Sequence, residues 1–277
     1  MSTLKKAAVL GWPIGQSLSP LIHNHWMAIH GIDASYEAIA VEPDNLADLI
    51  TGLPDKGFVG CNVTVPHKET VMAALDKVAP MALSIGAVNT VVIKDGVKTG
   101  FNTDIGGFKK QLDDSASNWP TYKPPLIIGA GGAARAAVAA FLSTEVPFIM
   151  ITNRTQAKAE KIATEIGRGR VAVVEWENRH TAVAGAGVIA NTTTLGMTDQ
   201  PALDLKLDLA ASDTVVYDIV FKPLETALLK AANAKGLKTV DGLGMLVYQA
   251  AAAFKLWFGV DPVYDDALKA KLMEQLT

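Results

Sequence analysis

Strand-like and helix-like stretches alternate along this chain almost from its first residues. Residues 7–10 read as a strand, 20–29 as a helix opened by Pro20, 36–41 as a second strand, and 45–53 as a helix that stops near Gly52 and Pro54. Residues 60–65 read as a strand, Pro66 then stands at a helix start, and 68–75 continue as that helix. Two short strands, 87–94 and 97–101, flank Asp95-Gly96, a dipeptide that tolerates the positive φ angles of a tight hairpin turn. The polar, proline-bearing stretch 113–125 reads as a linker or loop. Beyond it lie strand 126–128, helix 133–142, strand 148–152 and helix 156–166, then strands at 171–174, 187–190, 214–218 and 238–240. Strands alternating with helices in this way build a parallel sheet with crossover helices. From Gly244 the pattern is helical to Leu256, and again over 265–276. The expected fold class is α/β.

The bulk properties narrow this further. A length of 277 residues suggests two compact domains, and 49% hydrophobic against 19% charged residues excludes disorder. The net charge is −3 and no basic run occurs, so no nucleic-acid partner is expected. The single cysteine, Cys61, excludes an internal disulfide and fits a reducing compartment. Residues 1–6 lack an apolar signal core, and no apolar span reaches the roughly eighteen residues that cross a bilayer. A cytoplasmic protein with no membrane partner is the expectation. The five histidines show no metal-ligand spacing, so no metal is expected either.

The first candidate for chemistry follows the strand at 126–128. Gly129-Ala130-Gly131-Gly132-Ala133-Ala134 has the spacing G-x-G-x-x-A between a strand and a helix. Such a turn brings backbone N–H groups and a helix N-terminus up to a pyrophosphate. Gly129 would make the tight turn, Gly131 would clear the phosphate, and Ala134 would let the helix lie close to the sheet. A merely tight connection is the alternative. The next strand ends in Asn153-Arg154-Thr155 where an NAD site would carry a carboxylate for the ribose hydroxyls. An arginine there can meet a 2′-phosphate with charge-assisted hydrogen bonds, and Lys158 lies one helical turn further on. This favours NADP over NAD; a solvated helix start with surface cations is the other reading.

Small polar residues gather at four further places. Ser17 and Ser19 precede Pro20, with Ser19 placed as a helix cap. Asn62 and Thr64 share one strand face, and Lys68 lies just past that strand's carboxyl end, where open α/β sheets bind ligands. Asn89-Thr90 and Asn102-Thr103-Asp104 stand at the ends of two more strands. Each is ordinary turn chemistry when taken alone. Together they supply hydroxyls, amides, an ammonium and a carboxylate, a set suited to a small polyhydroxylated acid.

Eight ordered motifs now carry a family resemblance over essentially the whole chain: residues 11–20 with His23-Asn24, 60–68 (GCNVTVPHK), 86–90 (GAVNT), 102–106 (NTDIG), 129–135, 153–155 and 241–248 (DGLGMLVY). In these the chain resembles the shikimate dehydrogenases. The resemblance implies an N-terminal α/β substrate domain, a Rossmann-like dinucleotide-binding domain, C-terminal helices returning to the first, and a cleft between the two. The corresponding bounds are 1–104 with 244–277, and 105–243. It implies Ser17 and Ser19 for the substrate carboxylate, and Asn62, Thr64, Asn89, Asp104 and Gln249 for its hydroxyls. Lys68 and Asp104 match the catalytic pair, for which a structural ion pair is the alternative. It implies a cofactor held at Gly129, Ala130, Gly131, Gly132, Ala133, Asn153, Arg154, Thr155, Lys158, Thr192, Gly242 and Met245. The implied reaction is reversible hydride transfer between NADP, or alternatively NAD, and the C3 carbon of 3-dehydroshikimate. Two departures stand out: Phe221 replaces a usual tyrosine, and 192–194 are all threonine. Quinate and aminoshikimate dehydrogenases share these motifs. Other readings are a non-catalytic NAD(P)-binding sensor and a two-domain dehydrogenase for a folate-like ligand, against which the Ser17/Ser19 pair speaks. A monomer or homodimer is expected.

Overall fold

In the computed structural model, which describes residues 4–276, the strands gather into two six-stranded sheets. The first belongs to a unit made of the chain up to Thr103 and of Gln249–Gln275. Its elements are β1 (Lys5–Gly11), α1 (Ser19–Ile29), β2 (Ala34–Ala40), α2 (Leu46–Gly52), β3 (Phe58–Val63), β4 (Lys77–Val78), α3 (Pro80–Ile85), β5 (Thr90–Lys94) and β6 (Val97–Phe101). The sheet order is β2-β1-β3-β5-β6-β4. β1 runs parallel to β2 and β3, whereas β5 is antiparallel to β3 and β6. Asp95 and Gly96 turn the β5–β6 hairpin at φ 51° and 77°, as their types predict. Leu10, Ile50, Leu53, Val63 and Val71 form part of one buried core cluster.

The stretch 68–75 departs from the expected helix. Lys68 uses its C=O to accept the Val88 N–H at 2.8 Å, so it cannot serve an α-helical ladder, and only a 3-10 helix over Thr70–Ala74 follows. The same bond takes Val88 out of the neighbouring ladder, and β5 begins only at Thr90.

The second unit is Asp104–Tyr248. It contains α4 (Asp104–Ser115), β7 (Leu126–Ile128), α5 (Gly132–Leu142), β8 (Ile149–Thr152), α6 (Gln156–Glu165), β9 (Val171–Val173), α7 (Arg179–Ala182), β10 (Val188–Asn191), β11 (Val215–Asp218), α8 (Ala227–Ala234) and β12 (Lys238–Val240). All neighbouring strands are parallel, in the order β12-β11-β10-β7-β8-β9. The chain starts in the middle at β7, moves out to β9, and returns to the other side through β10. This is the Rossmann-type arrangement, with its switch point at the carboxyl ends of β7 and β10. α4 enters a stretch read as loop because Lys109 pairs with Asp113 and Lys110 with Asp114, each one helical turn apart. Phe108 on α4 packs on Tyr217 and Phe141 at ring distances of 4.6 and 5.5 Å.

α9 (Leu243–Phe258) begins in the second unit and ends in the first, and α10 (Asp266–Leu276) follows. Indole N–H groups fix the end of α9 and the segment after it: Trp257 on α9 donates to Val91 C=O at 2.9 Å, and Trp26 donates to the C=O of Val263, between α9 and α10, at 2.9 Å. Among the described residues no helix is long and apolar enough to cross a membrane. Nor does any group of three or more His, Cys, Asp or Glu residues among them suit a metal ion.

Candidate active site

The switch point of the second sheet is built by Gly129 and Thr192. Gly129 has φ +116°, and a Cβ there would stand 2.7 Å from Thr192 Oγ1, so both conformation and space require glycine. The Thr192 hydroxyl donates to Ile128 C=O at 2.7 Å and its N–H to the same oxygen at 2.9 Å, which locks the ends of β7 and β10 together. Gly131 caps α5 with no side-chain hydrogen bond, and a Cβ on it would meet nothing within 4 Å. The N-terminus of α5 therefore offers N–H groups and the positive end of its dipole to open space. Ala130, Gly132 and Ala133 put no large side chain in the way, and Ala134 is fully buried against the sheet. These residues fit a pyrophosphate.

Beside this turn, β8 is followed by Asn153, whose Nδ2–H donates to Thr155 C=O at 2.9 Å and rounds the chain into α6. Arg154, Thr155 and Lys158 are exposed. On the other flank, Asp218 accepts from Asn191 Nδ2 (2.9 Å), Val220 N–H (3.1 Å) and Thr226 Oγ1 (2.7 Å). Burial pushes its carboxyl up to about 6 against those three donors. Gly242 lies against the following loop: a Cβ would stand 2.1 Å from Ile219 O. Gly242→Ala therefore forces backbone apart, and an overpacking cost of about 1–3 kcal/mol lowers Tm by about 3–10 °C, read by a thermal melt without ligand. An unchanged Tm would remove this packing role. Met245, on the first turns of α9, is buried.

In the first unit the polar residues form one connected array. Asn62, on β3, donates from Nδ2 to Asn89 C=O (3.2 Å) and Thr90 Oγ1 (3.1 Å). Asn89 donates to Thr103 Oγ1 (2.9 Å) and Gln249 Oε1 (3.3 Å), and its Oδ1 accepts the Thr103 N–H (2.7 Å). Thr64 stands two residues past Asn62, its N–H donating to Leu10 C=O at 2.9 Å. Ser19 is not the helix cap expected of it. Leu18 occupies that position with no side-chain bond, and it is Ser17 whose Oγ accepts the Ser19 N–H, at 3.3 Å. Lys68 is half-buried on the turn after β3. The preceding His67 is fully buried, with Nε2–H donating to Val41 C=O at 2.8 Å, so the backbone that carries Lys68 is anchored on both sides. Asp104 is buried and opens α4 in the second unit.

Three family models match in order along the chain. They are described as shikimate dehydrogenase substrate binding domain (residues 9–91), shikimate / quinate 5-dehydrogenase (116–199) and shikimate 5′-dehydrogenase C-terminal domain (242–270). A protein of Paramagnetospirillum magneticum named shikimate dehydrogenase (NADP(+)) is 48% identical over 266 residues, 95% of this chain and 96% of its own length. The chain belongs to the shikimate dehydrogenase family. It is accordingly an oxidoreductase of α/β fold, as its motifs imply. Among solved members of the fold, the Thermus thermophilus shikimate 5-dehydrogenase in complex with NADP(H) and shikimate has a TM-score of 0.85 at 36% identity, covering 98% of this chain and 99% of that one. The Corynebacterium glutamicum quinate dehydrogenase in complex with NAD has a TM-score of 0.87 at 30% identity, covering 98% and 97%.

The first family model spans Ser17, Ser19, Asn62, Thr64, Lys68 and Asn89. The second spans the glycine turn, Asn153, Arg154 and Thr192; the third spans Gly242, Met245 and Gln249; Asp104 falls between the first two. Sequence reasoning singled out Thr90 and Thr103 among the partners that order these groups, but gave no role to Tyr36, His67 or Gln111. Gln111 donates from Nε2 to Asp241 C=O at 3.2 Å, and Gly244 leaves it room: a Cβ there would stand 1.7 Å from Gln111 Oε1. Its only signal is a polar residue on the apolar face of α4, seven positions after Asp104.

Proposed function

We propose that this chain catalyses the reversible reduction of 3-dehydroshikimate to shikimate with NADP(H). The observation that carries this reading is the array centred on Asn89. Amide and hydroxyl groups from β3, β5, the end of β6 and α9 are held by one another in a unit whose family model is described as substrate binding. Fixed polar groups of this kind suit a ring bearing several hydroxyls and cost little ordering on binding. The substrate residues are Asn62, Thr64, Asn89 and Gln249, with Ser17 and Ser19 for the carboxylate. The domain bounds stay as read from the motifs: 1–104 with 244–277 for substrate, 105–243 for the dinucleotide. The protein is cytoplasmic in this reading, a monomer or homodimer.

The bound dinucleotide supplies or accepts the hydride. Lys68 then delivers a proton to the carbonyl oxygen and takes one from the alcohol in reverse; Asp104 holds that hydroxyl and steadies the charged lysine. The glycine turn at 129–133, Thr192, Gly242 and Met245 hold the cofactor.

NADP is favoured because exposed Arg154 follows Asn153, with Lys158 further along α6 and no carboxylate at the β8 end. Losing one charge-assisted bond costs about 1.5–3 kcal/mol, so Arg154→Ala weakens NADP binding about tenfold to a hundredfold and leaves NAD binding unchanged. Titration with both dinucleotides checks this, and equal losses would sink it. The substrate reading is tested with shikimate, quinate and aminoshikimate, each with NADP and NAD. Highest kcat/KM for shikimate with NADP is expected; quinate with NAD ahead would move the chain to the quinate branch.

A further inference from the structure

We propose that Tyr36 is a positioning residue for substrate recognition, seated by His23 and Asn24 so that its hydroxyl fixes the Asn62 side-chain amide. The inference rests on the shikimate dehydrogenase reading, and it gives the His23-Asn24 motif a task that the reaction itself leaves open.

Tyr36 lies on β2, an edge strand of the first sheet. Edge strands leave backbone groups unpaired on one side. Asn24, on α1, takes up both groups of Tyr36: Nδ2–H donates to Tyr36 C=O at 2.9 Å, and Oδ1 accepts the Tyr36 N–H at 3.0 Å. One residue earlier on α1, His23 lies flat on the Tyr36 ring, with centroids 4.2 Å apart and planes 12° from parallel. Burial, opposed by the nearby Asn62 amide, pushes the His23 imidazole down to about 3, so it stacks as a neutral ring. Backbone and ring of Tyr36 are thus both held by α1.

The hydroxyl has little freedom left. It donates to Asn62 Oδ1 at 2.7 Å. Burial keeps it protonated far beyond the usual tyrosine range, so it remains a donor. An asparagine side chain can face either way round. Here Oδ1 is turned to Tyr36 while Nδ2 is turned to Asn89 C=O and Thr90 Oγ1. Donors and acceptors are therefore assigned before substrate arrives. Phenylalanine at 36 keeps the stack and the backbone clamp but removes the donor, leaving Asn62 Oδ1 without it.

The test is Tyr36→Phe, assayed with shikimate and NADP. A lost neutral hydrogen bond predicts a KM for shikimate raised about three- to tenfold, with kcat within about twofold and the KM for NADP unchanged. A calorimetric series with analogues that each lack one ring hydroxyl separates positioning from general loosening. The analogue missing the hydroxyl that Asn62 binds should bind wild type and variant alike; an equal loss for every analogue overturns the proposal. So does an unchanged KM for shikimate in a wild-type background that oxidises shikimate, whereas a wild type that fails to oxidise it overturns the underlying reading instead. Should Tyr36→Phe not fold, Asn24→Ala carries the test, since it releases Tyr36 while leaving Ser19, Tyr36 and Asn62 intact. It should raise the same KM, and a fall in kcat alone would overturn the assignment.

Discussion

Lys68→Ala is expected to lower kcat roughly 10²–10⁴-fold, equivalent to about 3–5 kcal/mol of transition-state stabilisation. The backbone at this position does not depend on the side chain. His67 is anchored to Val41 C=O, and Lys68 C=O is held by the Val88 N–H, so truncation to alanine leaves the turn in place. The loss should therefore appear in kcat without a matching fall in Tm. Cofactor affinity should change little, because the residues proposed to hold the dinucleotide all lie in the second unit, away from Lys68 in sequence and in unit. Steady-state kinetics with shikimate and NADP, beside NADP titration, check both halves. A variant that keeps more than a tenth of the wild-type kcat would remove Lys68 as the proton donor and move that task to Asp104 or to solvent.

The fold was legible where burial is symmetrical. In the second unit β7, β8, β10 and β11 are short, largely apolar runs buried on both faces, and β7, β8 and β10 fall within a residue or two of the positions their hydrophobicity predicts. The first unit was harder to read because long-range bonds override local pattern. The Lys68–Val88 bond stops a helix that Pro66 and the following residues favour, and two-residue β4 carries no pattern of its own. Ser19 had the right type for a cap, yet the hydroxyl that does accept the bond belongs to Ser17.

At the candidate site, residue types were readable and partnerships were not. Asn62, Asn89 and Gln249 could be named from motifs, but the bond between Asn89 and Gln249 spans 160 positions of sequence. Tyr36 looked like any aromatic residue on a strand, because its partners Asn24 and Asn62 come from α1 and β3. Thr192 shows the opposite case. The motif marked it for the cofactor, and its hydroxyl is already committed to Ile128 C=O, so its contribution to a dinucleotide site runs through the shape of the Gly129 turn.

The serine pair should act on ground-state binding. Ser17→Ala with Ser19→Ala removes two hydrogen bonds to a carboxylate, each worth about 1.5–3 kcal/mol, so KM for shikimate should rise roughly 10²–10⁴-fold. One further effect travels with the substitution and can be separated from it. Ser17 Oγ accepts the Ser19 N–H at the start of α1, and losing a bond of this capping kind costs about 1 kcal/mol of stability, visible as a lower Tm in the Ser17→Ala single variant. That effect does not depend on the charge of the ligand, and this decides the matter. An uncharged methyl ester of shikimate lacks the carboxylate, and it should bind wild type and double variant with nearly equal affinity. If the ester binds wild-type protein as tightly as the acid does, Ser17 and Ser19 do not hold the carboxylate. Their contribution would then be confined to the start of α1.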